Sequence, residues 1–225
     1  MNIKTALFSL CITFFASSFA QEVHVPNYEE MQEESSLKIY KPLLQRYLSN
    51  DTTLTTGEYH HLYYGFTLQE DYNPYKQIAS QQALSSLFSL DSLSADSCAQ
   101  MLQQALLSVA DVPFDLRSIH HVIYAYNCLG ETQEAALWSA KFSGLVRAIL
   151  ASGTGESKES PVHIIYPSDE YVVMGLLGVQ AKESRLLTPH IDEVLLVDND
   201  FEKKHYFFDV SRMRVVFDYK YNPGQ

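Results

Sequence analysis

The apolar pattern of this 225-residue chain changes period once, and that change sets what it can fold into. Before residue 152 the apolar side chains recur at helical spacing. Tyr59, Leu62, Tyr63 and Phe66 fall at i, i+3, i+4 and i+7, and Cys98, Met101, Leu102, Ala105 and Val109 form a second stripe. Ile119, Ile123 and Tyr126 make a third, and Ala135, Trp138, Phe142, Leu145 and Ile149 a fourth. After residue 161 the apolar runs are short and rich in β-branched and aromatic residues: VHIIYP, EVLLVD and HYFFDV. Between the two regimes lies SGTGESKESP, residues 152–161, which reads as a linker. The pattern predicts an α+β chain. Helical hairpins span 21–151, the linker spans 152–161, and a small α/β subdomain with a short antiparallel sheet spans 162–225.

Punctuation refines the elements. Asn27 with Glu30, and Thr55 with Glu58, have capping-box spacing and predict helix starts near Tyr28 and Thr56. Pro42 is read as the first residue of a second helix, ended by Asn50 and Asp51. Asn73–Pro74 predicts a helix running to about Leu90, Ser94 caps the next, and Gly130 stops the one after Leu116. Ser168 is placed as the cap of a helix over DEYVVMGLLG, and RVVFDY as an added strand. The segment VIYAYNCLGETQEAALWSAKF sets Tyr126, Gly130 and Ala135 where half of a tetratricopeptide unit has an aromatic, a glycine and a small residue. No second copy follows at a steady period, so the expectation is tetratricopeptide-like packing and not a repeat array.

Residues 1–20 carry an early lysine, an apolar run, and Ser18 and Ala20 at the positions a signal peptidase reads. This predicts a signal peptide cleaved between Ala20 and Gln21 and a periplasmic or secreted protein. No later stretch approaches the roughly 20 apolar residues of a spanning helix. Cleavage leaves 15 basic residues against 27 acidic ones, scattered along the chain, which argues against nucleic acid and anionic membranes as partners. Cys98 and Cys128 are the two cysteines of the mature chain. Antiparallel neighbouring helices would bring them together, whereas the offset of Cys128 from its helix stripe argues against it, so a disulfide and two free thiols both stay open.

Chemistry is thinly marked. His60–His61 and His120–His121 suggest a metal site with Glu58, but adjacent helical residues point about 100° apart, so each pair offers one ligand and boundary histidines are the simpler reading. No cofactor or metal is expected, and no catalytic residue is assigned. Asp198 and Asp200 lack the rest of a calcium loop and read as a polar turn. Two functions compete. The first is a non-catalytic binding or scaffold protein whose partner is a peptide, an envelope protein or a glycan. The second is a hydrolase sited between the helical part and the α/β tail, using Asp169 or Glu170 with His163 or His205.

The stretch HHLYYGFTLQEDYNPY, residues 60–75, holds the densest aromatic cluster. Leu62, Tyr63, Gly65, Asn73 and Pro74 are read as a structural corner in which Gly65 admits the returning chain. Tyr64, Tyr72 and Tyr75 are read as binding residues, with Tyr64 left open to a partner. Leu62 to Gly65 and Tyr72 to Tyr75, with the preceding IYKPLLQRYLSND and the later SDEY, resemble the domain of unknown function 4919 family. That resemblance implies export from a Gram-negative bacterium and lends no activity.

Overall fold

The computed structural model describes residues 23–88 and 93–222. The predicted signal peptide, its Ala20–Gln21 cleavage site and the expected helix end at Leu90 lie outside them. The chain forms two compact units, a helical one over 27–148 and a sheet-bearing one made of the segment before 27 together with 149 onward.

In the helical unit, Asn27 Oδ1 accepts the Glu30 N–H and starts α1 (Tyr28–Gln32). Helix α2 (Glu34–Leu48) starts well before Pro42, which lies in its interior and is not its first residue. Tyr40, Leu43 and Tyr47 share the buried face of α2, and their burial offsets the one hydrogen bond that Pro42 cannot donate. The Thr55 and Glu58 capping box is complete at the start of α3 (Thr56–Gly65), with Glu58 Oε2 accepting the Thr55 N–H at 2.7 Å. A short 3-10 turn, Phe66–Leu68, follows. Asn73–Pro74 does not open a helix. Asn73 Oδ1 accepts the Tyr75 N–H at 3.0 Å, an Asx turn that competes with helix formation, and α4 begins only at Gln81 (Gln81–Phe88).

Ser94 caps α5 (Ala95–Asp111), and Asp115 caps α6 (Leu116–Cys128). Gly130, at φ +80°, turns the chain into α7 (Thr132–Leu150). Helices α5 and α6 pack against each other, and a disulfide joins Cys98 to Cys128 with a Cα–Cα distance of 6.1 Å. The bond closes a sequence separation of 30 residues, for which loop entropy gives on the order of 3.5 kcal/mol. Urea melts with and without reductant are expected to differ by about that amount. A difference below about 1 kcal/mol would show that α5–α6 packing needs no crosslink. Phe114 anchors the aromatic interior, with its ring centroid 5.1 Å from that of Tyr47 and 5.3 Å from that of Phe66.

The sheet unit holds β1 (Val162–His163), α8 (Pro167–Leu176), β2 (Ala181–Leu186), β3 (Ile191–Leu196), β4 (His205–Asp209) and α9 (Ser211–Tyr221). Strand order is β1-β4-β3-β2, and the sheet is mixed, because β1 runs parallel to β4 while the other pairs are antiparallel. Strand β2 gives no apolar alternation because nearly every residue of this edge strand is exposed. Helix α8 starts at Pro167 with Tyr166 as its cap, so Ser168 lies inside it. RVVFDY belongs to α9 and adds no strand. Asp209 Oδ1 accepts the Ser211 N–H at 2.9 Å, and Met213 and Val216, three apart, are buried while Val215 is exposed.

Residues 152–161 are built into the sheet unit. The Gly155 N–H donates to the Ser160 carbonyl at 2.8 Å, and the Phe207 N–H of β4 donates to the Gly155 carbonyl at 2.9 Å. Ser152 Oγ accepts the His163 N–H at 2.8 Å. Among the described residues no helix is long and apolar enough to cross a membrane.

Candidate functional site

The tyrosine corner of the helical unit is a wall. Leu62, Tyr63, Tyr64 and Tyr72 are all fully buried. The Tyr63 and Tyr64 rings meet edge to face at 4.9 Å, Tyr28 of α1 closes on Tyr64 at 6.4 Å, and Tyr72 sits against Phe66 at 5.8 Å. The expected exposure of Tyr64 and Tyr72 is therefore corrected. Tyr64 leaves the main stripe of α3, but α1 lies over that face, and a neighbour of this kind cannot be read from the period of one helix. Of the three proposed binding tyrosines only Tyr75 is open, at 44% exposure. Gly65 does admit a close neighbour, the Tyr40 ring of α2, about 3.1 Å from where a Cβ would stand, and not the returning chain.

The histidine pairs are packing elements too. His60 lies 4.6 Å from the Tyr64 ring, and His61 Nε2 is 3.2 Å from the Ser36 carbonyl. His121 is buried in the helical unit, which pushes its imidazole down to about 4 and corrects its reading as a boundary residue. Among the described residues no cluster of three or more His, Cys, Asp or Glu is placed to hold a metal ion.

Groups able to meet a ligand gather on one face of the sheet. Arg185 pairs with Glu193 across β2 and β3, Glu193 with Phe207 and Leu195 with His205 across β3 and β4, so alternation puts Arg185, Glu193, Phe207 and His205 on the same side. Glu193 accepts hydrogen bonds from Arg185 Nε and from His205 Nδ1, the latter at 2.7 Å. It is only 5% exposed, and its cover comes from those two partners and not from depth in the core. The Arg185 guanidinium, with a smaller contribution from His205, holds the Glu193 carboxyl below its ordinary value.

His205 stacks on Phe207 with 13° between the rings and a 6.2 Å centroid separation. This pair floors a cleft whose walls are Glu156, Ser157, Lys158 and Glu159 on one side and Lys203 and Lys204 on the other. Lys203 Nζ reaches Glu156 Oε1 at 2.9 Å across it. The first wall is the segment that reads as a linker by composition. It closes on β4 because Gly155 stands at φ +68° with the Tyr206 ring where a side chain would go.

The candidate acids lie elsewhere in the unit. Asp169 is fully buried and Glu170 nearly so in the first turn of α8. Burial first, and the hydrogen-bonded Asp192 second, push Glu170 up to about 8. Asp192 alternates with Glu193 and projects to the opposite face of the sheet, where it accepts from Ser184 Oγ at 2.8 Å. His163 Nδ1 is 3.8 Å from Asp209 Oδ1, and burial lowers its pKa in spite of that carboxylate. Glu170, held by Asp192, thus lies on the opposite face of the sheet from His205, because one strand step sends neighbouring side chains to opposite faces. Glu193, Arg185 and Phe207 were invisible as a group in the sequence, where only strand register unites them with His205.

A family model described as Domain of unknown function (DUF4919) matches residues 28–218. The chain belongs to this family. The match takes in the tyrosine corner and every residue of the cleft. No curated protein and no solved structure matches the chain.

Proposed function

We propose that the protein is an exported binding protein of the cell envelope, periplasmic or secreted, and that the cleft over His205 and Phe207 holds a glycan. The stacked ring pair carries this reading. A flat aromatic platform suits the C–H face of a sugar ring, and the carboxylates, lysines and Ser157 on both walls offer acceptors and donors to its hydroxyls. The signal-like residues 1–20 support export. The test is a glycan array followed by calorimetry on the best ligand. His205→Ala with Lys203→Ala is expected to weaken binding about 10–100-fold in a protein that still melts cooperatively. Binding that these changes leave untouched, or an array that stays empty while peptide libraries score, overturns the assignment.

One observation favours hydrolysis as a second reading. Glu193 holds His205 Nδ1, the arrangement in which a carboxylate orients an imidazole and leaves Nε2 to take a proton from water. Turnover of an ester substrate that Glu193→Gln abolishes would establish it. Equal turnover in that variant excludes it.

A further inference from the structure

Strand β2 is one edge of the sheet, and its ladder with β3 fixes which backbone groups face outward. The Leu187 N–H donates to the Ile191 carbonyl at 2.9 Å. With Arg185 opposite Glu193 and Glu183 opposite Leu195, the odd-numbered residues from Glu183 to Leu187 therefore take the bonds to β3. The next ladder agrees, since the Leu196 N–H donates to the Lys204 carbonyl at 2.9 Å and the even-numbered residues of β3 turn to β4. The N–H and C=O of Ser184 and Leu186 thus point away from β3, and among the described residues no backbone group bonds to them. Arg185, whose Nε goes to Glu193, keeps 55% of its side chain exposed. Glu183 is exposed two residues before it, on the same side of the sheet.

We propose that β2 pairs antiparallel with β2 of a second copy about a two-fold axis at Ser184, joining two sheets into one. Outward groups have to face each other, so the axis passes through a residue and not between two. Centring it on Glu183 or on Arg185 sets like charges directly opposite, and centring it on Leu186 leaves Arg185 without an acid. Centring it on Ser184 gives reciprocal bonds between the two Ser184 backbones. It also sets Glu183 of each copy against Arg185 of the other, at non-hydrogen-bonded positions where Cα atoms approach to about 4.5 Å. Charges on an edge strand ordinarily keep other edges away. Here their order turns away the competing registers and favours one. Arg185 then lies between two acids, Glu193 of its own chain and Glu183 of the other. The contact is isologous and closes on itself, because β1, the opposite edge, is only two residues long.

Analytical ultracentrifugation of the purified protein from about 5 μM to about 500 μM tests this. The weight-average mass should climb from one chain toward two over that range, since the paired stretch is short. Glu183→Arg sets cations opposite each other, and Ser184→Pro removes an N–H that β3 does not use. Each should weaken association at least about tenfold while the far-UV circular dichroism stays that of wild type. Ser184→Cys should crosslink two copies under mild oxidation, and Thr188→Cys, beyond the strand and far from the axis, should not. A mass of one chain at the highest concentration, association that survives Glu183→Arg, or crosslinking through Thr188→Cys as fast as through Ser184→Cys each overturns the proposal.

Discussion

Gly153→Ala is expected to cost about 4 kcal/mol or more of folding free energy. A Cβ at this position would stand 1.8 Å from the Pro161 carbonyl oxygen and 2.5 Å from its carbonyl carbon. Both are backbone atoms, so no rotamer change relieves the overlap, and one limb of the loop must move. Moving it pulls apart the bonds from Gly155 to Ser160 and from His163 to Ser152 that seat the loop beside β1 and β4. Overpacking usually costs 1–3 kcal/mol, and the loss of buried hydrogen bonds carries the total higher. Gly57→Ala is the control, because nothing stands within 4 Å of its would-be Cβ, and it should change stability by less than about 1 kcal/mol. Urea melts of both variants check the pair. A Gly153→Ala protein as stable as wild type would mean that 152–161 behaves as the linker its composition suggests.

The second large effect is on the dependence of stability on pH. Glu170 has an ordinary value of 4.5 and is pushed up to about 8 in the fold. The folded chain therefore keeps a proton that the unfolded chain has released, and stability falls as pH rises through this window. The contribution is fully present below 4.5 and lost above 8. At about 1.4 kcal/mol per unit it amounts to about 4–5 kcal/mol. Glu170→Gln keeps a donor for Asp192 and carries no charge, so this fall should vanish from its profile, leaving the rise with pH that buried His121 contributes. Melts at pH 5 and pH 8.5 decide the matter. The variant should match wild type at the lower pH and exceed it at the higher, and parallel profiles would remove Glu170 as their source.

These two positions also show how far the sequence could be read. Glu170 in a first helical turn has a sufficient explanation in the helix dipole, and nothing along the chain tells that α8 buries it against Asp192. Gly153 and Gly155 look like flexible spacers until the backbone they approach is known. Conversely, the capping boxes, the stop at Gly130 and the four stripes are local signals, and the helices follow them. Local signals fail where tertiary contacts decide. Burial of Tyr40, Leu43 and Tyr47 carries α2 through Pro42, an Asx turn displaces the helix expected at Pro74, and the exposed strand β2 shows no alternation.

The sequence by itself determined the α+β class, the order of helices before strands, and the family, because period, caps and a dense aromatic signature are encoded in neighbours a few residues apart. Only the tertiary structure decided that the signature is buried wall, that a segment with linker composition forms one side of a cleft, and that Glu193, Arg185 and His205 meet. Those outcomes depend on strand register and on which helix covers which face, and the energies that select them arise between residues distant along the chain.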